Sequence, residues 1–158
     1  MIETLRIPKE RKGIFNSRVI AKIKTELGIT IHKKDSSIEI DGEGMKFIQA
    51  KAIVMAVSHG FAPVKAYALL DEEKELAVIE LGKNPERIRA RLIGTKGKTR
   101  KFIEERAGVF ISIQGKTVSL IGDWRQLDCG KKAINMIIDG SKHSLVYKYL
   151  DGLEDIEE

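Results

Sequence analysis

Displaced by 80 residues, the sequence falls onto itself. Ile23 meets Ile103, Gly28 meets Gly108, Ile29 meets Val109 and Ile31 meets Ile111. Ile38 meets Val118, Ile40 meets Leu120, Gly42 meets Gly122 and Gly60 meets Gly140. Tyr67, Leu70 and Asp71 then meet Tyr147, Leu150 and Asp151. The register runs without a gap from about residue 18 to residue 71. A repeat of this length limits the chain to two copies of one small unit. With no long linker between them, the copies are expected to pack as one compact body.

Each copy reads as the same series of elements. In the second, "ELAVIELG" (75–82) is aliphatic and β-branched, hence a strand. Asn84-Pro85-Glu86 reads as a helix start, with Asn84 as the capping side chain and Pro85 at the first helical position. "ERIRARLI" follows as a short helix, which Gly94 to Gly97 interrupt. A second helix spans Lys98 to Ala107, with Phe102 and Ile103 inward, and ends at Gly108. "VFISI" and "TVSLIG" alternate as strands around a tight turn at Gln114-Gly115-Lys116. Asp123 caps a helix to about Asp139, and "KHSLVYKYLDGL" adds a last amphipathic helix. The order is β-α-α-β-β-α plus one helix. The first copy repeats it as "IETLRIP", "ERKGIF", "SRVIAKIKTEL", "ITIHK", "SSIEIDG", "MKFIQAKAIVMAVSH" and "APVKAYALLD". Antiparallel strands with helices on one face predict an α+β fold.

Charge separates the two copies. Residues 1–80 carry 13 Lys/Arg against 12 Asp/Glu, whereas residues 81–150 carry 15 against 6. The last eight residues, "DGLEDIEE", hold five acids and no base. The excess cations predict a polyanion-binding surface on the second copy. No apolar run reaches the roughly 18 residues of a membrane span, and "MIETLRIPKERKG" lacks a signal-peptide apolar region. The single cysteine, Cys129, rules out a disulfide framework and reads as a small helix residue facing the core. A soluble, cytoplasmic protein is expected.

The cations gather around "IGTKGKTRK" (93–101). Gly97-Lys98-Thr99 invites a nucleotide-binding reading, but a P-loop needs another glycine five residues before Gly97, where Leu92 stands. The segment before it reads as a helix rather than a strand, and a dinucleotide-binding Gly-x-Gly start is missing. No nucleotide or other cofactor is therefore expected.

Gly-x-x-Gly between two short helices of a β-α-α-β-β-α unit resembles a type I KH domain. The likeness rests on "IGTKGKTRKFIEERAGVFISI": a hydrophobic residue, the Gly94-Thr95-Lys96-Gly97 loop, an isoleucine six residues past it, then glycine and an alternating strand. Such a loop clamps the backbone of about four nucleotides. Its glycines allow sugar-phosphate to approach the main chain, and the helix beginning at Lys98 offers its N-terminus to phosphate. Thr95 and Lys96 are free to face the strand. Arg87, Arg89, Arg91, Lys96, Lys98, Arg100 and Lys101 surround it, and helical spacing puts Arg87 and Arg91 on one side. Ile93, Ile111 or Ile113 would floor the groove for bases, or else pack in the core.

The first copy lacks the loop. Ile14-Phe15-Asn16-Ser17 occupy its place, and matching "PKER" with "NPER" makes this copy about four residues shorter. The expected domains are residues 1–73, a KH fold without the clamp; residues 74–152, a KH fold with it; and the acidic tail 153–158. The first would brace the second or bind protein, unless Arg11, Lys12 and Arg18 still meet phosphate.

Tandem units of this kind resemble the archaeal members of the Dim-two (Pno-one) family of small-subunit ribosome assembly factors. The likeness lies in "IPKER", in "HGFAPVKAYALLDEEKELAVIELG" (59–82), in "RLIGTKGKTRKFIEERAGV" and in "GSKHSLVYKYLD" (140–151). It implies single-stranded RNA binding, at the 3′ region of small-subunit precursor rRNA. It also implies two protein partners: the PIN-domain endonuclease that matures that end, and the alpha subunit of translation initiation factor two. His143 reads as a structural residue of the last helix, with RNA contact as the alternative. His32 and His59 complete a set with no metal spacing. Glu104 and Glu105 read as surface, and no nucleophile–base pair is present, so no enzymatic activity is expected. The competing reading is a protein-interaction scaffold with incidental RNA contact.

Overall fold

The computed structural model describes the backbone of residues 1–157 and the side chains of residues 1–152. The chain forms two units, Met1–Leu76 and Ala77–Glu158. Among the described residues no helix is long and apolar enough to cross a membrane.

The first unit begins with strand β1 (Ile2–Arg6) and a 3₁₀ turn over Lys9–Ile14. Helix α1 (Ser17–Leu27), strands β2 (Thr30–Lys33) and β3 (Ser37–Asp41), and helix α2 (Gly44–Ser58) follow. Short helix α3 (Pro63–Ala66) and a 3₁₀ turn over Tyr67–Leu70 close the unit. The sheet order is β1-β3-β2, with Ile31 opposite Ile40 and Leu5 opposite Ile38. One face of this sheet buries Ile31, Ile38 and Ile40 against Val19, Ile23 and Leu27 of α1 and Phe47, Ala50, Ile53 and Val54 of α2.

The second unit has strand β4 (Glu75–Glu80), helix α4 (Pro85–Ile93) and helix α5 (Lys98–Ala107). Strands β5 (Phe110–Gln114) and β6 (Thr117–Gly122), and helices α6 (Trp124–Ile138) and α7 (His143–Glu157), complete it. The side chains of the predicted acidic tail, 153–158, lie outside the described residues. The sheet order is β4-β6-β5, and the β5–β6 turn falls at Gly115, as predicted. Leu92, Ile103, Ile111, Val118, Leu120, Ile134, Ile137, Val146 and Leu150 make the core. Both units are thus α+β with a three-stranded sheet and the helix order of a type I KH fold.

Two expected caps have different outcomes. Asp123 accepts from the Gln126 backbone N–H, and Gln126 Oε1 accepts from the Asp123 N–H, both at 2.9 Å. This capping box joins β6 to α6. Asn84, by contrast, makes no side-chain cap, because its backbone (φ −120°, ψ 67°) is not in the extended conformation that aims a capping side chain at the helix. Pro85 and Glu86 carry the start of α4 instead.

The repeat extends further than the sequence match suggests. Arg11 donates from Nε to the Val57 carbonyl (3.0 Å) and from Nη2 to the Phe61 carbonyl (2.8 Å). Eighty positions on, Arg91 donates from Nη1 to the Ile137 carbonyl (2.6 Å) and from Nη2 to the Ser141 carbonyl. In each unit one planar guanidinium ties off the carbonyls where a long helix ends. The match of "PKER" with "NPER", which sets Arg11 on Arg87, is therefore out of register. The first unit is short at the start of its first helix, which is reduced to the 3₁₀ turn, and not at the loop position. Arg11→Ala and Arg91→Ala are each expected to lower stability by about 2–3 kcal/mol, since carbonyls at a helix end lose charge-assisted bonds. Lysine should not restore it, because a single ammonium lacks the fork that reaches both acceptors. Urea denaturation of the four variants checks this.

Candidate nucleic-acid interface

The loop between α4 and α5 is built by backbone that side chains disfavour. Gly94 (φ 73°, ψ 178°) ends α4 and Gly97 (φ 74°, ψ 13°) precedes α5, with Gly97 N–H bonded to the Gly94 carbonyl at 3.2 Å. Lys96 between them has φ 55°, the one non-glycine residue with positive φ among the described residues. A lysine held in the left-handed region costs about 1 kcal/mol, and such strain concentrates at functional sites.

The two glycines differ in what they face. A Cβ on Gly94 would lie 2.3 Å from Thr99 Oγ1, 2.8 Å from Thr99 Cβ and 2.9 Å from the Thr99 backbone nitrogen. A Cβ on Gly97 would meet nothing within 4 Å. Gly94 is thus demanded by the protein's own packing, whereas the open side of Gly97 faces solvent. No side chain caps α5, so its N-terminus presents backbone N–H groups and the positive end of the helix dipole.

The predicted cations fall into three groups. Arg87, Lys96, Lys98 and Lys101 are exposed and have no ion pair among the described residues. Arg100 Nε lies 3.5 Å from Glu104 Oε1. Glu104 is no surface acid: its Oε2 accepts from the Ile111 N–H at 3.1 Å, fixing the start of β5 to α5. Arg91 is the strut described above, and Arg89 donates to the Gly115 carbonyl at 2.9 Å. Among the candidate floor residues, Ile111 belongs to the core and Ile113 packs against it, while Ile93 is exposed.

A cleft of about 640 Å³ brings together Arg87, Arg91, Gly94, Thr95 and Lys98 from the predicted set. Lys96, Gly97, Arg100 and Lys101 do not line it. Thr99, His143 and Tyr147 do, and of these only His143 stands out in the sequence as a candidate contact. The Tyr67–Tyr147 correspondence was the available signal for the other side of α5, but it identifies a repeat position and not a cleft. Among the described residues no group of three or more His, Cys, Asp or Glu side chains could hold a metal ion.

The first unit treats the same positions differently. Phe15 is fully buried where Thr95 stands in the second, and Asn16 Oδ1 accepts from the Val19 N–H at 3.0 Å, capping α1. Lys33 Nζ donates to the Lys12 and Phe15 carbonyls at 3.0 and 2.8 Å. The open loop of one copy is a plugged and capped corner in the other.

A Gly-x-x-Gly loop between the paired helices of a β-α-α-β-β-α unit defines a KH domain. The family profile for the second KH domain of Pno1, described as a eukaryotic type KH-domain (KH-domain type I), matches residues 72–155. The KH domain-containing protein MJ0443 of Methanocaldococcus jannaschii is 32% identical, over 95% of this chain and 73% of that protein. The crystal structure of Dim2p from Pyrococcus horikoshii superposes with a TM-score of 0.91 at 32% identity, covering 96% of this chain and 98% of that one. The Dim2p chain in the a/eIF2alpha–aDim2p–rRNA complex from the same organism also gives 0.91 at 32% identity, covering 98% and 94%. The chain belongs to the Dim2/Pno1 family of KH proteins.

Proposed function

We propose that this protein binds single-stranded RNA through its second unit and acts in ribosome biogenesis. Its target is the 3′ region of the small-subunit rRNA or its precursor, which it positions for processing. The observation that carries the reading is the loop itself. A strained Lys96, an open Gly97 and an uncapped α5 N-terminus stand among four exposed cations, in a fold whose loops clamp nucleic acid backbone. Gly94, Thr95, Lys96, Gly97 and Lys98 would hold the phosphates, with Arg87 and Lys101 beside them. Arg91 contributes mainly through the bonds it makes within the protein, and Arg100, 3.5 Å from Glu104, adds its charge beside the loop. That a relative in the same family was crystallised with rRNA and a/eIF2alpha supports rRNA as the class of target. It supports the alpha subunit of initiation factor two as a partner as well. The PIN-domain endonuclease that matures the rRNA 3′ end is the further partner this role requires.

Residues 1–73 would not clamp RNA. Asn16 already occupies a backbone N–H that phosphate would use, and Phe15 fills the loop's place. This unit is left to brace the second or bind protein.

Counterion release supplies the test. Four phosphate contacts should make log K fall with log salt at a slope near −2.8, about fiftyfold between 50 and 200 mM. A flat response would favour the protein scaffold. Crosslinking to total RNA, mapped on both molecules, should place contacts at residues 94–101 and at the small-subunit rRNA 3′ region. Contacts mostly within residues 9–20 would reverse the division between the units.

A further inference from the structure

The cleft beside the loop opens toward α7, a helix beyond the β-α-α-β-β-α unit. Its volume, about 640 Å³, lies in the range of sites that bury small ligands. One rim carries the exposed Arg87 and Lys98. The other is a pair of rings: His143 and Tyr147 lie 19° from parallel with centroids 6.3 Å apart. Each is fixed from behind. The Tyr147 hydroxyl and Thr99 Oγ1 share a hydrogen bond of 2.9 Å, and the Tyr147 ring packs at 4.5 Å on Phe102. His143 Nε2 is 2.9 Å from the Arg91 carbonyl.

The repeat provides an internal control. Eighty residues earlier, Thr95 is Phe15, Thr99 is Val19 and His143 is Pro63. Phe15 and Val19 are buried. Tyr67, the counterpart of Tyr147, has Lys22 over its ring at 5.8 Å where Tyr147 has Phe102. The polar, ring-walled cleft therefore accompanies the open loop, and apolar packing replaces it where the loop is closed. A buried threonine, 2% exposed, that orients a tyrosine ring is not required to hold α7, since Val146 and Leu150 already bury that helix.

We infer that this cleft is a second RNA subsite, which takes the nucleotide flanking the clamped backbone. Arg87 and Lys98 receive its phosphate, and the His143–Tyr147 wall receives its base. Cationic rims with aromatic walls are the recurring chemistry of single-strand binding. The inference rests on the clamp reading, because Gly94, Thr95 and Lys98 border both compartments.

The test titrates the isotope-labelled full chain with an eight-nucleotide RNA from the small-subunit rRNA 3′ end, and with each four-nucleotide segment of it. Both lengths should shift the amide signals of residues 94–98, and the eight-mer should also shift those of residues 143–147. The ratio of eight-mer to four-mer affinity should fall about tenfold in His143→Ala and in Tyr147→Ala. If residues 94–98 respond and residues 143–147 stay silent with both lengths, the subsite is overturned and the clamp stands. If residues 94–98 respond to neither RNA, the clamp reading fails and the subsite falls with it.

Discussion

Gly97→Asp is expected to weaken single-stranded RNA binding about a hundredfold while leaving the fold in place. The new carboxylate would stand on the open side of the loop, where a Cβ meets nothing within 4 Å. In the proposed clamp phosphate approaches this same point, and two negative charges about 4 Å apart repel by several kcal/mol at an intermediate dielectric. The stability cost is small by comparison. Aspartate tolerates φ 74° better than most residues, at about 1 kcal/mol. Its charge also lies at the N-terminus of α5, where the helix dipole returns some tenths of that. Gly97→Asn separates charge from bulk. It has nearly the same shape and no charge, so it should bind at least tenfold better than Gly97→Asp at low salt. The gap should narrow as salt is added. Equal affinity of Gly97→Asp and wild type, measured by fluorescence anisotropy at 50 mM salt, would end the clamp reading.

Local chemistry is what the sequence displayed best. α1 and α5 run over the residues expected, the β5–β6 turn falls at Gly115, and Asp123 caps α6. These features depend on a few neighbouring residues and on the 80-residue register, and both can be read along the chain. What stayed hidden depends on partners that only the folded chain brings together. Arg91 looks like one more cation on a basic helix, but its acceptors lie 46 and 50 residues on. Glu104 looks solvated until the Ile111 amide is brought to it. Tyr147 shows a repeat position, while its bond to Thr99 spans 48 residues. The partners in two of these cases are backbone groups, which carry no side-chain signature at all. Arg87, Lys96, Lys98 and Lys101 make no such internal bond among the described residues, and they are the predicted cations left for an external phosphate.

Gly94→Ala should destabilise the second unit by about 4 kcal/mol, and this is the larger stability effect at the loop. Two costs add. At φ 73°, ψ 178° the backbone occupies a region open essentially to glycine alone, worth about 1–3 kcal/mol. The methyl carbon would also sit 2.8 and 2.9 Å from the Thr99 Cβ and backbone nitrogen, neither of which can rotate away. Relief would require α5 to shift at its first turn, pulling Thr99 from Tyr147 and disturbing both walls of the cleft. Gly97→Ala lacks the second cost and should lose only about 1 kcal/mol. Lost RNA binding in Gly94→Ala or Gly94→Asp would therefore report a deformed loop, whereas the same loss in Gly97→Asp reports the surface that phosphate meets. Urea denaturation followed by far-ultraviolet circular dichroism distinguishes the two positions. Equal stability of Gly94→Ala and Gly97→Ala would mean that Gly94 is not clamped against Thr99. The loop would then be free to open, and both glycines would have to be explained by the RNA.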